Sequence, residues 1–394
     1  MTPIADTATV EALCERLSKA PYVTVDTEFM RDKTYWPRLC LIKVAGPDEA
    51  VVIDPLAPGL DLAPFLRLMA DPNVVKVFHA ARQDVEIFFH LTGKVPAPLF
   101  DTQIAAMVAG FGEQVSYETL VAHFAGARID KSSRFTDWSH RPLSERQLTY
   151  ALADVTHMRK IYESLRAQLH KSKRESWLAE ELATLADPAT YRLEPDESWQ
   201  RLKPRGMSPR SLAVLKEISA WREREAQKRD VPRNRIVRDE ALTEIAAGRP
   251  KNADELARVR ALSRAIADGP FGREILAGVA RAVAMAEKDL PHLPDKPQLP
   301  RGIGPTVELL KVLLKLKSDQ QHVAAKLIAN VSDLERMAAG ETDLPALHGW
   351  RHEVFGADAV ALMEGRLALA ISGRQLEVVE RVADAPVRSK AARR

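Results

Sequence analysis

Residues 22–29, Tyr22-Val23-Thr24-Val25-Asp26-Thr27-Glu28-Phe29, decide how this chain is read. The run follows Pro21, is rich in β-branched and aromatic residues, and gives way to charged residues after Met30, which is the composition of a strand. Residues two apart in a strand face the same side, so Asp26 and Glu28 stand next to each other while Val23, Val25, Thr27 and Phe29 face the opposite way. Two carboxylates about 4 Å apart repel by about 4 kcal/mol at an effective dielectric near 20, and a half-buried pair therefore calls for a cation. Taken alone, the same pattern also reads as two solvated acids on an exposed edge.

Three further runs of the same kind lie nearby: LCLIKVA at 39–45, AVVID at 50–54 and VVKVFHA at 74–80. The last hands over at once to a helical pattern, DVEIFFHL, and a short PLFDT run precedes a helix through Ile104–Ala109. From about Ser144 to Leu169 the apolar spacing is helical again. Three strands close in sequence, then strand alternating with helix, predict a mixed sheet covered by helices.

That frame gathers three more residues. Asp84 falls where a strand passes into a helix, a place where carboxylates at strand ends converge in mixed α/β sheets, although a first-turn acid favoured by the helix dipole would look the same. Tyr150 and Asp154 are four apart and share a helix face that is otherwise apolar, where a carboxylate is costly unless paired or bound to a cation. Hard oxygen ligands without His or Cys suit Mg²⁺ or Mn²⁺ better than zinc. Two such ions about 3.5–4 Å apart can hold both the attacking and the leaving oxygen of a phosphoryl displacement.

Beyond residue 187 strand signals nearly vanish. We read residues 1–187 as an α/β domain, 188–207 as a Pro-rich linker, 208–290 as a first helical domain and 291–300 as a second Pro-rich linker. Residues 301–381 read as a second helical domain and 382–394 as a basic tail. Ala246-Ala247-Gly248 recurs as Ala338-Ala339-Gly340, Phe271-Gly272 as Phe355-Gly356, and Ile236 and Leu242 recur as Ile328 and Leu334. The two helical stretches therefore look like a duplicated module.

Composition bounds the rest. The 394 residues are 46% hydrophobic and 28% charged, enough for more than one core. No apolar run approaches the ~20 residues of a membrane helix, and no signal peptide is visible. Two lone cysteines, Cys14 and Cys40, make neither a disulfide framework nor a zinc site, which predicts a reducing, cytoplasmic setting. The net charge of +3 is unevenly spread, with an acidic excess before residue 190 and a basic excess after it. That distribution suits a metal site beside a phosphate-binding surface.

Asp26-Thr27-Glu28, then His79-x4-Asp84, then Tyr150-Ala-x-x-Asp154, resembles the three motifs of the DEDDy 3′–5′ exonuclease superfamily. YWPRLCLIKVA, DTQIAAMVAGFG and IDKSSRFTDWSHRPLSERQLTYALADV resemble the ribonuclease D family within it, and the repeated helical modules resemble HRDC domains. The resemblance spans nearly the whole chain. It implies a ribonuclease H-like exonuclease domain, a mixed α/β sheet flanked by helices, followed by two all-α HRDC-like domains. It also implies a metal-dependent 3′–5′ exoribonuclease that releases 5′-mononucleotides and trims tRNA precursors and other structured RNAs with free 3′ ends. Asp26, Glu28, Asp84 and Asp154 would ligate two Mg²⁺ or Mn²⁺ ions, Asp26 bridging them, and Tyr150 would orient the attacking water. Phe29 and Met30 would lie near the terminal nucleotide. One departure is Arg38, where the family more often has Gln after Pro.

Within the loop 131–141, Lys131 and Arg134 are candidates for phosphate contact and Trp138 for base stacking, against a reading in which a buried Trp pins the loop. Asp101 reads as a helix cap. In the first HRDC-like module Lys228, Arg229, Arg233, Arg235 and Arg238 form the candidate nucleic-acid surface. The second module is much less basic and reads as packing. RNA is the expected partner, with no membrane and no obligate protein partner. A DNA exonuclease of the same superfamily and a non-catalytic nucleic-acid-binding scaffold are the alternatives.

Overall fold

The computed structural model describes residues 2–133, 136–293 and 299–381, without the side chain of Lys131. It divides into two compact units. One comprises Met1–Phe100, Ile129–Arg159 and Thr184–Asp295, the other Asp101–Arg128, Lys160–Ala183 and Lys296–Arg394.

In the first unit, α1 (Thr7–Leu17) starts at Asp6, whose carboxylate accepts the Thr9 amide. Strand β1 (Tyr22–Met30) lies at the heart of a five-stranded sheet with β2 (Arg38–Ala45), β3 (Ala50–Ile53), β4 (Val75–Phe78) and β5 (Leu99–Asp101). Helix α2 (Ala63–Ala70) precedes β4, and α3 (Arg82–Thr92) follows it. The sheet order is β3-β2-β1-β4-β5, with β1 antiparallel to β2 and parallel to β4, so the predicted mixed sheet is present. Side chains of β2 from Leu39 to Ala45 are all buried, which marks a strand covered on both faces. A bulge after Glu28 shifts the pairing from Glu28–Leu41 to Phe29–Leu39 and bends the end of β1 just beyond the acids.

Helices α4 (Thr102–Val108) and α5 (Tyr117–Ala125) lie in the second unit. Asp101 caps α4, its carboxylate accepting the Gln103 and Ile104 amides, as expected. The helix predicted from Ser144 is α6 (Glu145–Ser172), followed by α7 (Glu175–Ala186). Thr24 of β1 donates its hydroxyl to the Val155 carbonyl at 2.8 Å, which ties α6 to the sheet beside Asp154.

The Pro-rich segment 188–207 is not a loose tether. It forms 3₁₀ turns over Pro188–Tyr191 and Pro195–Leu202, and Trp199 is buried in the apolar core of the first helical module. That module comprises α8 (Pro209–Arg229), α9 (Arg233–Ile236), α10 (Asp239–Gly248), α11 (Ala253–Leu256), α12 (Arg264–Asp268) and α13 (Pro270–Ala284).

The second module, in the other unit, comprises α14 (Gly304–Gln321), α15 (Ala325–Ile328), α16 (Val331–Ala338), α17 (Gly349–Arg351) and α18 (Ala357–Met363). The duplication is visible in the backbone. Each long helix ends on a residue in the left-handed region, Asp230 and His322, followed by a four-residue helix whose last isoleucine is buried. Leu242 and Leu334, matched by sequence, are buried on the next helix of each copy.

The second module is not all-α. Helix α18 stops at Met363, and residues expected to continue it form a hairpin of β6 (Leu367–Ser372) and β7 (Gln375–Glu380). Gly373, at φ +61°, makes the turn that a helix reading of LALAI overlooks, and Leu376, Val378 and Glu380 alternate as strand residues do. The predicted basic tail 382–394 and residues 294–298 of the second Pro-rich stretch lie outside the described residues.

Candidate active site

The site begins with the pairing of β1 and β2. Asp26 stands directly opposite Lys43, and opposed residues in antiparallel strands project to one face. Lys43 is only 1% exposed, and its ammonium donates to Asp26 Oδ2 at 2.5 Å, Glu28 Oε1 at 2.8 Å and Asp154 Oδ2 at 2.7 Å. Carboxylate oxygens of Asp26, Glu28 and Asp154 all lie within 4.8 Å of one another. The predicted i, i+2 geometry of the strand and the position of Asp154 on α6 thus produce one cluster.

Asp84 enters from the first turn of α3 but does not cap it; the N-cap is Ala81, with no side-chain bond. Its Oδ1 instead accepts the Thr27 amide at 3.1 Å and the Thr27 hydroxyl at 2.5 Å, which pins the carboxylate against β1. Burial, with the nearby Asp26 charge adding to it, pushes the Asp84 carboxyl up to about 8. Burial also pushes Glu28 up to about 7, the Lys43 charge pulling against the rise and Asp26 adding to it. Lys43 itself is desolvated, yet Asp26, Asp154 and Glu28 together hold its ammonium well above the ordinary lysine range. Four carboxylates against one ammonium leave an excess of negative charge in a largely desolvated, oxygen-only site. Such a donor set fits hard divalent cations.

Tyr150 is half-buried one turn before Asp154. Its ring centroid is 5.5 Å from the Lys43 ammonium and 6.1 Å from the Trp138 ring. Burial and the Asp154 charge both raise its hydroxyl pKa, so the phenol keeps its proton at neutral pH.

The loop candidates fare differently. Trp138 is 2% exposed and packs with Cys40, Leu41, Val52, Leu148 and Ala151, so it is a buried anchor and not an exposed stacking platform. Arg141 explains why. Its guanidinium grips both Asp54 oxygens at 2.7 Å and also donates to the carbonyls of Cys40, Trp138 and His140. Arg134 lies outside the described residues, as does the side chain of Lys131. Phe29 and Met30 are half-buried at the end of β1, and Met30 packs on the Trp138 cluster.

Of the basic run in the first helical module, Lys228, Arg229, Arg235 and Arg238 are exposed. Arg229 pairs with Glu225 and lies 4.8 Å from the Phe271 ring. Arg233 is committed inside the protein. It pairs with Glu223, donates to the Tyr35 hydroxyl and stacks its charge 4.5 Å from the Tyr35 ring. Its place in a free nucleic-acid surface is withdrawn, because a buried glutamate already satisfies it.

Lys43 escaped the sequence reading, and a signal was there to find it. A single lysine within LCLIKVA sits in a strand otherwise apolar on both faces, and a buried ammonium needs acidic partners. The register that places it opposite Asp26 was not readable from the sequence.

A family model described as 3′-5′ exonuclease matches residues 1–170, and one described as HRDC domain matches residues 211–279. The Ribonuclease D of Acidiphilium cryptum is 54% identical over 378 residues, 96% of this chain and 96% of that one. The Ribonuclease D of Granulibacter bethesdensis is 51% identical over 380 residues, again 96% of each chain. The crystal structure of Escherichia coli RNase D, described as an exoribonuclease involved in structured RNA processing, matches with a TM-score of 0.80 at 28% identity. That match covers 93% of this chain and 99% of the other. With half of its residues shared with these relatives along almost its full length, and with an exonuclease region followed by an HRDC domain, the chain belongs to the ribonuclease D family of 3′–5′ exoribonucleases.

Proposed function

We propose that the protein removes nucleotides one at a time from RNA 3′ ends, and that Asp26, Glu28, Asp84 and Asp154 would hold the two Mg²⁺ or Mn²⁺ ions the reaction calls for. The observation that carries this reading is the convergence of Asp26, Glu28 and Asp154 oxygens within 4.8 Å on a site whose excess negative charge a single ammonium cannot offset. Bound there, the ions would draw charge from the scissile phosphodiester and lower the pKa of the attacking water. The chain's own groups do the rest. Thr27 fixes the Asp84 carboxylate, and Thr24 ties α6 to β1 beside Asp154. The protonated Tyr150 hydroxyl orients water beside Asp154. Phe29 and Met30, at the bulged end of β1, border the terminal nucleotide. We assign the products as 5′-mononucleotides and the natural substrates as tRNA precursors and other structured RNAs in the cytoplasm. Two free, buried cysteines and the lack, among the described residues, of any helix able to cross a membrane are compatible with that setting.

The test is digestion of matched 5′-labelled RNA and DNA strands and of a tRNA precursor with a 3′ extension, with and without Mg²⁺ or Mn²⁺. We expect metal-dependent shortening of RNA with release of 5′-mononucleotides. Asp26→Ala, Asp84→Ala and Asp154→Asn should abolish it while RNA binding survives, and Tyr150→Phe should lower turnover with metal affinity largely kept. Full activity in Asp154→Asn would overturn the site; preference for DNA would overturn the substrate.

A further inference from the structure

Where α3, the segment after β1, the 3₁₀ turns of 188–202 and α9 meet, the first unit encloses a cavity of about 480 Å³. Among the described residues, its lining includes Arg31, Arg82, Arg201 and Arg233 against one acid, Glu86. Arg31 pairs with Glu86, and Arg233 is taken by Glu223 and Tyr35. Arg82 and Arg201 have no hydrogen bond or ion pair among the described residues, although the Arg201 charge reaches Glu223. Both are exposed. Two uncommitted guanidinium groups lining one cleft repel each other unless an anion lies between them, and guanidinium forks match phosphate oxygens two at a time.

We infer that this arginine-lined cleft binds phosphodiester groups of the RNA strand upstream of the nucleotide being removed. The inference rests on the exoribonuclease reading. Arg31 lies three residues beyond Glu28 along the chain, just past the end of β1, and Arg82 two residues before Asp84, so the cleft is built on the segment leaving that strand and on the helix that carries Asp84. Two residues along a helix turn about 200°, which places Arg82 on the side of α3 away from Asp84. The cleft therefore cannot hold the scissile phosphate, and an upstream stretch of the same polyanion is the ligand whose chemistry fits. Arg201 comes from the 3₁₀ turn that leads into the helical module, so the cleft draws its free guanidinium groups from α3 and from the segment that joins the sheet to that module.

The experiment uses the full chain carrying Asp154→Asn to stop hydrolysis, with and without Arg82→Gln/Arg201→Gln. Binding of a 5′-labelled single strand of roughly a dozen nucleotides and of a trinucleotide is followed by fluorescence anisotropy over a salt series. The double substitution should weaken binding of the longer strand roughly 10-fold or more and reduce the slope of log Kd against log salt by about 1.4, two contacts' worth for a single strand. The trinucleotide should lose at least several-fold less. Arg82→Lys/Arg201→Lys should keep most of the salt slope, because charge remains. An unchanged Kd and slope for the longer strand would overturn the proposal, and so would equal losses on both lengths, which would place the arginines at the terminal nucleotide. Tighter competition by a free mononucleotide than by the strand would make the cleft a small-ligand site and overturn it too. Failure of the unsubstituted enzyme to shorten RNA would instead sink the exoribonuclease reading, and the two failures are thus distinct.

Discussion

Lys43 is the residue on which the metal-free site turns. It contacts three of the four acids and is fully enclosed, so it is the local counter-charge whenever no divalent ion is bound. Replacing it with Met leaves a shape-compatible side chain and an unbalanced acid cluster. Breaking a buried pair costs about 3–5 kcal/mol, and the partial exposure of Asp26 and Glu28 argues for the lower end. Thermal melts of Lys43→Met in chelator should therefore show a clear loss of stability. Mn²⁺ should raise its melting temperature by more than it raises that of the unsubstituted chain, because an ion no longer competes with the ammonium. Equal metal-induced shifts would show that Lys43 and the ions do not share the same carboxylates.

The same residues set a pH dependence. Glu28 and Asp84 have folded values raised to about 7 and about 8, so between about pH 4 and pH 8 the folded state binds more protons than the unfolded chain. A raised folded value favours folding at low pH and loses that contribution as pH rises through it. Lys43, raised as well, stays charged in both states across this window and leaves the slope to the acids. The metal-free protein should lose several degrees of melting temperature between about pH 5 and pH 8.5, and saturating Mg²⁺ should flatten or invert the trend. A melting temperature that rises with pH in chelator would contradict the assigned directions.

At the scale of elements, the loop 136–142 is held to the sheet by one guanidinium. Arg141 joins Asp54 at the end of β3 to the carbonyls that bracket Trp138, and Trp138 in turn packs beside Tyr150. Arg141→Ala should destabilise the protein by about 3–5 kcal/mol through the abandoned Asp54 and carbonyls, and lower kcat more than it raises KM, since Tyr150 loses its backing. A change confined to KM would make Arg141 a substrate contact. Elements of this kind show where the sequence could be read and where it could not. The strand acids, the i, i+4 pair on α6 and the Asp101 cap follow from local periodicity and were legible residue by residue. Lys43, Thr27 and Arg141 act across strand register or long sequence separation, and one sequence carries no direct record of register. The hairpin at 367–380 was missed because LALAI has no period that separates strand from helix, and only the turn at Gly373 distinguishes them.

At the scale of the molecule, the nuclease sheet and the first helical module lie in one compact unit, although the Pro-rich composition between them suggested a linker. The reason is Tyr35. The segment after β1 reaches into the apolar core of the helical module, where Tyr35 is 4% exposed, with Trp36 packed against that core and stacked 4.0 Å from His90 of α3. Asp230, in the left-handed cap of α8, accepts the backbone amides of both residues at 3.0 and 3.1 Å. The Tyr35 hydroxyl meets Glu223, Gln227 and Arg233, and burial, with the Glu223 bond reinforcing it, raises its pKa to about 12. A contact that joins two cores should make them unfold together. Tyr35→Ala removes an aromatic side chain from the shared core, an exchange that costs about 3–5 kcal/mol, whereas Tyr35→Phe loses only the hydroxyl bonds and should cost about 1–2 kcal/mol. Hydrogen exchange gives the sharper reading: in Tyr35→Ala the amides of α8–α10 should open at a lower free energy than those of β1 and β2, where the unsubstituted chain opens both at a similar one. Protection that falls by the same amount in the sheet and in the helical module would mean that Tyr35 stabilises the unit without being what couples its halves.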